Sequence, residues 1–167
     1  LQICGIIFVA VFSLPPGSGF RLFYYIHDLP HFLHRFFHLP LKFKVGLEVK
    51  PKKPELTVIF LHGIAANSST WKTTFNQLKK SPDLKNTRLV SLDLLGFGKS
   101  LKADWLDYNY AEYDSALGTT LNKLHIKTPV IIVGHSMGCL IAAHYAKNHS
   151  RQISELILVS PPILMQD

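Results

Sequence analysis

The chain has 167 residues, of which 47% are hydrophobic and 17% charged, and its formal net charge is +7 at pH 7. This length suffices for one domain with a real core, and its two cysteines, Cys4 and Cys139, fit neither a disulfide framework nor a zinc site. Residues 1–54 hold seven Lys/Arg against Asp28 and Glu48, whereas residues 55–167 hold eleven against nine acids, so the basic character belongs to an N-terminal arm and the folded part lacks the basic surface that nucleic-acid binding requires.

Residues 1–40 read as an apolar and amphipathic arm ahead of a domain at 41–167. Leu1 to Leu14 is almost wholly apolar, yet spanning a bilayer takes about twenty such residues. The first residue is Leu rather than Met, and both ends look cut. The segment therefore reads as the end of a transmembrane helix or of a signal-peptide core, with a buried core segment as the plain alternative. Pro15-Pro16-Gly17-Ser18-Gly19 breaks any helix. Further on, Phe32, Leu33, Phe36 and Phe37 share one helical face, and His31, His34, Arg35 and His38 share the other. Large apolar groups opposite a cationic edge suit a helix lying on a membrane surface. The three histidines have helical ligand spacing, but no carboxylate or cysteine accompanies them, so no metal site is expected. Lys42-Phe43-Lys44-Val45 alternates as an exposed strand. If the apolar start spans a membrane, the basic flank (Lys42, Lys44, Lys50, Lys52, Lys53) places the following domain on the cytoplasmic side. The expectation is a membrane-associated protein.

From residue 55 the chain alternates between the periods of strands and helices. Leu56 to Leu61 is a strand, followed by the loop 62–68 and a helix at about 69–80 with Ser68 or Ser69 as its N-cap and Trp71, Phe75 and Leu78 on one face. Arg88 to Leu92 is a second strand, and the loop Asp93-Leu-Leu-Gly-Phe-Gly-Lys-Ser100 follows. Its end resembles a phosphate loop, but that motif needs a glycine where Asp93 stands, so no nucleotide is expected. Gly96 and Gly98 then serve a tight turn, with Lys99 in solvent. Asn109 and Glu112 resemble a capping box for a helix at about 110–125. A strand to Val133, a helix and a last strand at Ile153–Val159 complete the alternation, which implies an α/β fold: a mostly parallel sheet with helices on both faces. Active residues should lie in the loops after the strands.

The most informative of these loops is Gly134-His135-Ser136-Met137-Gly138, between a β-branched strand and a helix whose Ala142, Ala143 and Ala146 suggest a smooth packing face. A serine there is displayed in a strained turn at φ > 0, and glycines on both sides remove the Cβ atoms that would collide where strand and helix approach. The helix N-terminus faces any developing negative charge. The pentapeptide alone is a weak signal, and a buried serine in an ordinary strand-turn-helix is the plain reading beside it.

His62-Gly63, Asp93 to Ser100 and Gly134 to Gly138, in this order on successive strands, resemble the α/β-hydrolase superfamily over about residues 55–162, the first half of that fold. The resemblance implies Ser136 as nucleophile and the N–H groups of Met137 and Ile64 as the two arms of an oxyanion hole. It gives His62 and His135 a role in loop geometry rather than as base. His125, His144 and His149 fall on or near the outer helices as surface residues. The family's catalytic acid and histidine come after the next strands, beyond this chain's end at Asp167, and the cap that shapes the substrate pocket is likewise absent. Asp167 lies where some members place the acid, but as a terminal residue it is unrestrained. The expected function is hydrolysis of carboxylic esters or related acyl compounds, of small-molecule or lipid type, in a chain that lacks the base and so turns over little alone. No cofactor or metal is implied. A non-catalytic binding module of the same fold is the alternative.

Overall fold

The computed structural model describes residues 40–127 and 129–162. The apolar run, the segment expected to form an amphipathic helix, His31, His34, His38 and Asp167 thus lie outside the described residues. Among the described residues, no helix is long and apolar enough to cross a membrane.

Strand β1 is Lys44–Val49 and β2 is Leu56–Leu61; a 3₁₀ turn at Ser68–Trp71 leads into helix α1, Lys72–Leu78. Then follow β3 (Thr87–Asp93), α2 (Tyr110–Lys123), β4 (Val130–His135), α3 (Met137–Asn148) and β5 (Ile153–Val159). They form a five-stranded sheet in the order β1-β3-β2-β4-β5. The pairings β2–β3, β2–β4 and β4–β5 are parallel, as short apolar strands joined by helices require. Only β1 runs antiparallel, against β3 at the edge. Its register shifts between Val45 and Leu47, and the intervening Gly46 leaves room for Ser68, whose Oγ a Cβ there would strike.

The alternation of side chains along each strand sends one set to each face of the sheet. Ile59, Leu61, Val90, Leu92, Val130 and Ile132 share one core with residues of α2 and α3, including Leu117, Leu121, Ile141 and Tyr145. Val58, Phe60, Leu89 and Val133 share the other with Trp71 and Phe75. Helices thus cover both faces, and strands buried on both faces read as unbroken apolar runs. Phe43, just ahead of β1, is buried rather than exposed, and its N–H donates to the Thr120 hydroxyl on α2 at 2.8 Å.

Two local expectations need correction. Asn67 caps the 3₁₀ turn, its side chain accepting from the Ser69 N–H at 2.9 Å, while α1 itself starts after Trp71 with no side-chain cap; Ser68 is buried and its N–H is already donated to Asp93. On α3 the buried residues are Gly138, Cys139, Ile141, Ala142 and Tyr145, while Ala143 is exposed. Tyr145 fills the interior there, so alanines alone do not mark the packing face. The Asn109–Glu112 capping box of α2 is present in both directions.

At the opposite edge from β1, strand β5 is paired only with β4 among the described residues, and Ile157, Leu158 and Val159 are 45%, 42% and 39% exposed. The register is what positions the site. Leu61 stands level with Leu92 on one side and Gly134 on the other, so the loops after β2, β3 and β4 leave the sheet side by side.

Candidate active site

Close backbone approach builds the centre of this rim. A Cβ on Gly134 would lie 2.6 Å from the carbonyl oxygen of Gly138, and one on Gly138 would lie 2.6 Å from that of Leu61 and 2.7 Å from that of His62. Any side chain at either position would push α3 off the sheet. Between these glycines, Ser136 sits at φ 51°, ψ −119°, a region costing about 1–3 kcal/mol for a residue with a Cβ. Its backbone is tied down at both ends: the N–H donates to the Val159 carbonyl at 3.0 Å, and the carbonyl accepts from the Cys139 N–H at 2.9 Å. The side chain is half-buried and makes no capping bond to the helix it precedes.

Gly63 lies directly over the serine. A Cβ there would come within 3.0 Å of the Ser136 Cβ and 3.1 Å of the His135 Nδ1. The next residue, Ile64, is 69% exposed, and Ala65 continues the turn at φ 54°. Neither the Ile64 nor the Met137 N–H is bonded to an acceptor among the described residues. Met137 opens α3, so its free amide is one of the unsatisfied donors every helix start carries.

His62 is fully buried and works as a clip between two loops. Its Nε2 accepts the Leu94 N–H at 3.0 Å, which leaves the proton on Nδ1, donated to the Gly63 carbonyl at 2.7 Å. Burial lowers its pKa, outweighing the opposing pull of that carbonyl and of Asp93. It is therefore a neutral imidazole with both nitrogens occupied. His135 is placed differently. Its Nδ1 is buried without a hydrogen-bond partner among the described residues, and its ring meets Trp71 edge-on at 6.4 Å.

Asp93 is a residue to which the sequence assigned no role of its own, only a place at the head of the motif 93–100 and the position where a phosphate loop would need glycine. Its carboxylate accepts the Ser68 N–H at 2.7 Å and the Lys99 N–H at 2.9 Å, binding the loop after β2 to the loop after β3. Burial alone would raise its pKa, but the amides of Lys99 and Ser68 and the Ser68 hydroxyl hold it below the usual range. Gly98 at φ 53° wraps the carboxyl so closely that a Cβ would fall 2.2 Å from Cγ. Ser100 donates to the Asp93 carbonyl and accepts from the Lys44 N–H at 2.7 Å, which fastens β1 as well. The buried thiol of Cys139 bridges the carbonyls of Gly134 at 3.1 Å and Val159 at 3.3 Å.

A cleft of about 770 Å³ is lined by residues that include Ile64, Phe97, Tyr108, Tyr113, Met137 and Leu140. The aromatic residues of this cleft come from the loop after β3 (Phe97, Tyr108) and from α2 (Tyr113), so no single stretch of sequence displays them together. His144 and His149 also have partners on another element: the Asp114 carboxylate lies 3.4 Å from His144 Nδ1 and 3.0 Å from His149 Nε2. Among the described residues, no group of three or more His, Cys, Asp or Glu side chains is placed to hold a metal ion.

Comparison with known proteins bears on the family and the fold. The family model for the alpha/beta hydrolase fold matches residues 57–167. The chain is similar to the probable lysophospholipase BODYGUARD 4 of Arabidopsis thaliana, 33% identical over 126 residues, covering 75% of this chain and 29% of that protein. It is also similar to coelenterazine h 2-monooxygenase of Renilla reniformis, 31% identical over 106 residues, covering 64% of this chain and 32% of that protein. Among solved structures, the esterase of Exiguobacterium antarcticum superposes with a TM-score of 0.63 at 29% identity, covering 76% of this chain and 45% of that one. The chain thus spans about a third of the length of these two curated relatives.

Proposed function

The chain belongs to the α/β-hydrolase family, and on that footing we propose that it carries the nucleophilic half of a serine hydrolase acting on carboxylic esters or related acyl compounds. Ser136 is the nucleophile. Its hydroxyl oxygen attacks the acyl carbonyl, the ester C–O bond breaks as the alcohol leaves with a proton, and water then releases the acid from the acyl-serine. The N–H groups of Ile64 and Met137 receive the oxyanion. The observation that carries this reading is the strained φ of Ser136 beneath Gly63, beside two amides with no other acceptor.

The proton acceptor is not supplied by the histidines of the site. His62 has both nitrogens committed, and Ser136 makes no hydrogen bond to a described histidine. Turnover therefore requires a base from outside the described residues. A relative named as an esterase and another named as a lysophospholipase favour ester chemistry, whereas the Renilla monooxygenase shows that relatives of similar identity carry other activities.

Labelling tests the reading. An alkyl fluorophosphonate should modify Ser136 in the intact protein, and Ser136→Ala should abolish the adduct. A folded intact protein that takes no label would favour the second reading, a binding module of the same fold.

A further inference from the structure

We propose that a second cavity, at the opposite end of the sheet from Ser136, binds a soluble organic phosphate that carries a short hydrocarbon group. This site does not depend on the reading of Ser136 as nucleophile.

Topology sets the cavity apart from the serine. Its volume is about 320 Å³, and Val49, Leu78, Leu84, Thr87 and Leu89 are among its lining residues. Thr87 is the first residue of β3, and Val49, the last of β1, stands level with Leu89. Strands β2, β3 and β4 are parallel, so their beginnings lie at one end of the sheet and the turn after β4 lies at the other. Strand β3 has seven residues, which puts the two ends about 20 Å apart.

Charge singles out this end. Residues 55–167 hold eleven Lys/Arg against nine acids, but they are not spread evenly. Lys79, Lys80 and Lys85 belong to the lining and are exposed, and no acidic residue lines the cavity. Among the described residues, none of the three takes part in an ion pair. The connection 50–55 reaches the same end, where the Glu55 N–H donates to the Asn86 carbonyl at 2.9 Å, and it adds Lys50, Lys52 and Lys53. The nearby acids do not balance them. Asp83 lies outside the lining, the Glu55 carboxylate accepts from the Asn86 side chain at 2.8 Å, and Glu48 is engaged by Arg88. The C-terminal end of α1 accounts for cations at Lys79 and Lys80, but not for those of the connection 50–55.

The lining calls for two chemistries in one guest. Lysine ammonium groups on flexible stems can converge on a phosphate as point charges. Val49, Leu78 and Leu84 are only partly buried, so carbon is left for a hydrocarbon to cover. Inorganic phosphate would leave that carbon wet, and a neutral hydrocarbon would leave the lysines unanswered. A phosphate in a bilayer keeps its hydrocarbon within the membrane and so answers only half of the lining. The volume falls near the lower bound usual for ligand sites, which limits the hydrocarbon to a short group.

Calorimetric titration of the intact protein with n-hexyl phosphate tests the site. Five methylenes at full burial are worth about a thousandfold in affinity, so even partial burial should make hexyl phosphate bind at least tenfold more tightly than methyl phosphate. Hexanol should bind at least tenfold more weakly than hexyl phosphate. Lys80→Glu with Lys85→Glu should lower the affinity for hexyl phosphate at least tenfold. Lys72→Glu with Lys147→Glu makes the same change in net charge outside the lining and should leave it within twofold. Lys80→Gln with Lys85→Gln should lose at least threefold, which keeps a readout if the charge-reversed protein fails to fold. Leu84→Ser should narrow the gap between hexyl and methyl phosphate. Unchanged affinity in the Lys80 and Lys85 variants, equal weakening by both charge-reversed pairs, or hexyl phosphate no better than methyl phosphate or hexanol would each overturn the site. Sedimentation of the protein with phosphatidic acid vesicles, undiminished by excess hexyl phosphate, would assign these lysines to a membrane surface and overturn it as well.

Discussion

Gly63 and Ser136 are packed so that a single methyl on the first would sit 3.0 Å from the Cβ of the second. The loop after β2 and the turn after β4 therefore meet through a glycine, and the serine keeps its strained backbone with that loop pressed against it.

Gly63→Ala should disturb the site more than the fold. The added Cβ also comes within 3.1 Å of His135 Nδ1, so the loop must back away by a few tenths of an ångström, carrying the Ile64 amide with it. Displacements of this kind cost about tenfold to a hundredfold in rate. Fluorophosphonate labelling should slow by at least tenfold, while thermal denaturation shifts by only a few degrees. Equal labelling rates for both proteins would show that Ile64 plays no part in the reaction.

Asp93→Asn removes the charge and presents an amide N–H₂ to one of two backbone donors, Ser68 or Lys99. A buried donor left without an acceptor costs about 1–3 kcal/mol, and this loss comes on top of the weakened remaining bond. Urea titration should show a loss of about 2–4 kcal/mol. Gly98→Ala should approach the same figure by another route, since its φ is 53° and its Cβ would lie 2.2 Å from the Asp93 Cγ.

Acid should destabilise the domain in two stages. His62 has a folded-state pKa below its ordinary value because it is buried, so the unfolded chain binds a proton first as pH falls below about 6.5. Stability contributed by the neutral ring is complete above that pH and declines beneath it, by at most about 1.4 kcal/mol per pH unit. Asp93, held low by its amides, adds its own loss below about pH 4. Melting curves from pH 7.5 to 5 should fall for the native protein and flatten for His62→Gln. An unchanged slope in that variant would assign the effect to another group.

Arg88 and Glu48 join β3 to the antiparallel edge strand with an N–O distance of 2.7 Å, and the Arg88 side chain is only 5% exposed against 31% for Glu48. The Arg88 Nε also donates to Glu48 at 2.8 Å, and its third nitrogen, Nη1, donates to the Leu124 carbonyl at 3.1 Å. Glu48→Ala should cost about 1–3 kcal/mol, because it strands a buried guanidinium. Replacing both residues, Arg88→Met with Glu48→Leu, should recover much of that loss. A double-mutant cycle in urea measures the coupling, and values below about 0.3 kcal/mol would show the pair to be idle.

The fold was legible from residue 55 onward because period and punctuation agreed. Leu56–Leu61 and Ile153–Val159 emerge with the bounds read from their apolar runs, and Asn109 with Glu112 announced α2. The glycines around Ser136 were legible for a related reason: close backbone approach leaves a compositional mark. What stayed hidden depends on partners distant in sequence. The Asp93 carboxylate finds Ser68 on one side and Lys99 on the other. Asp114 joins His144 and His149 from another helix, and nothing in the spacing of either histidine points to it. The walls of the cleft come from the loop after β3, the start of α2 and the first turns of α3, so no single window of sequence displays them.

Among the described residues, strand β5 has one neighbour and an unpaired second flank, with Ile157, Leu158 and Val159 exposed. Such a flank is a docking template with a built-in direction. Any strand laid alongside it in parallel would finish level with Val159, whose carbonyl already holds the Ser136 amide, and would hand its outgoing loop to the serine's doorstep.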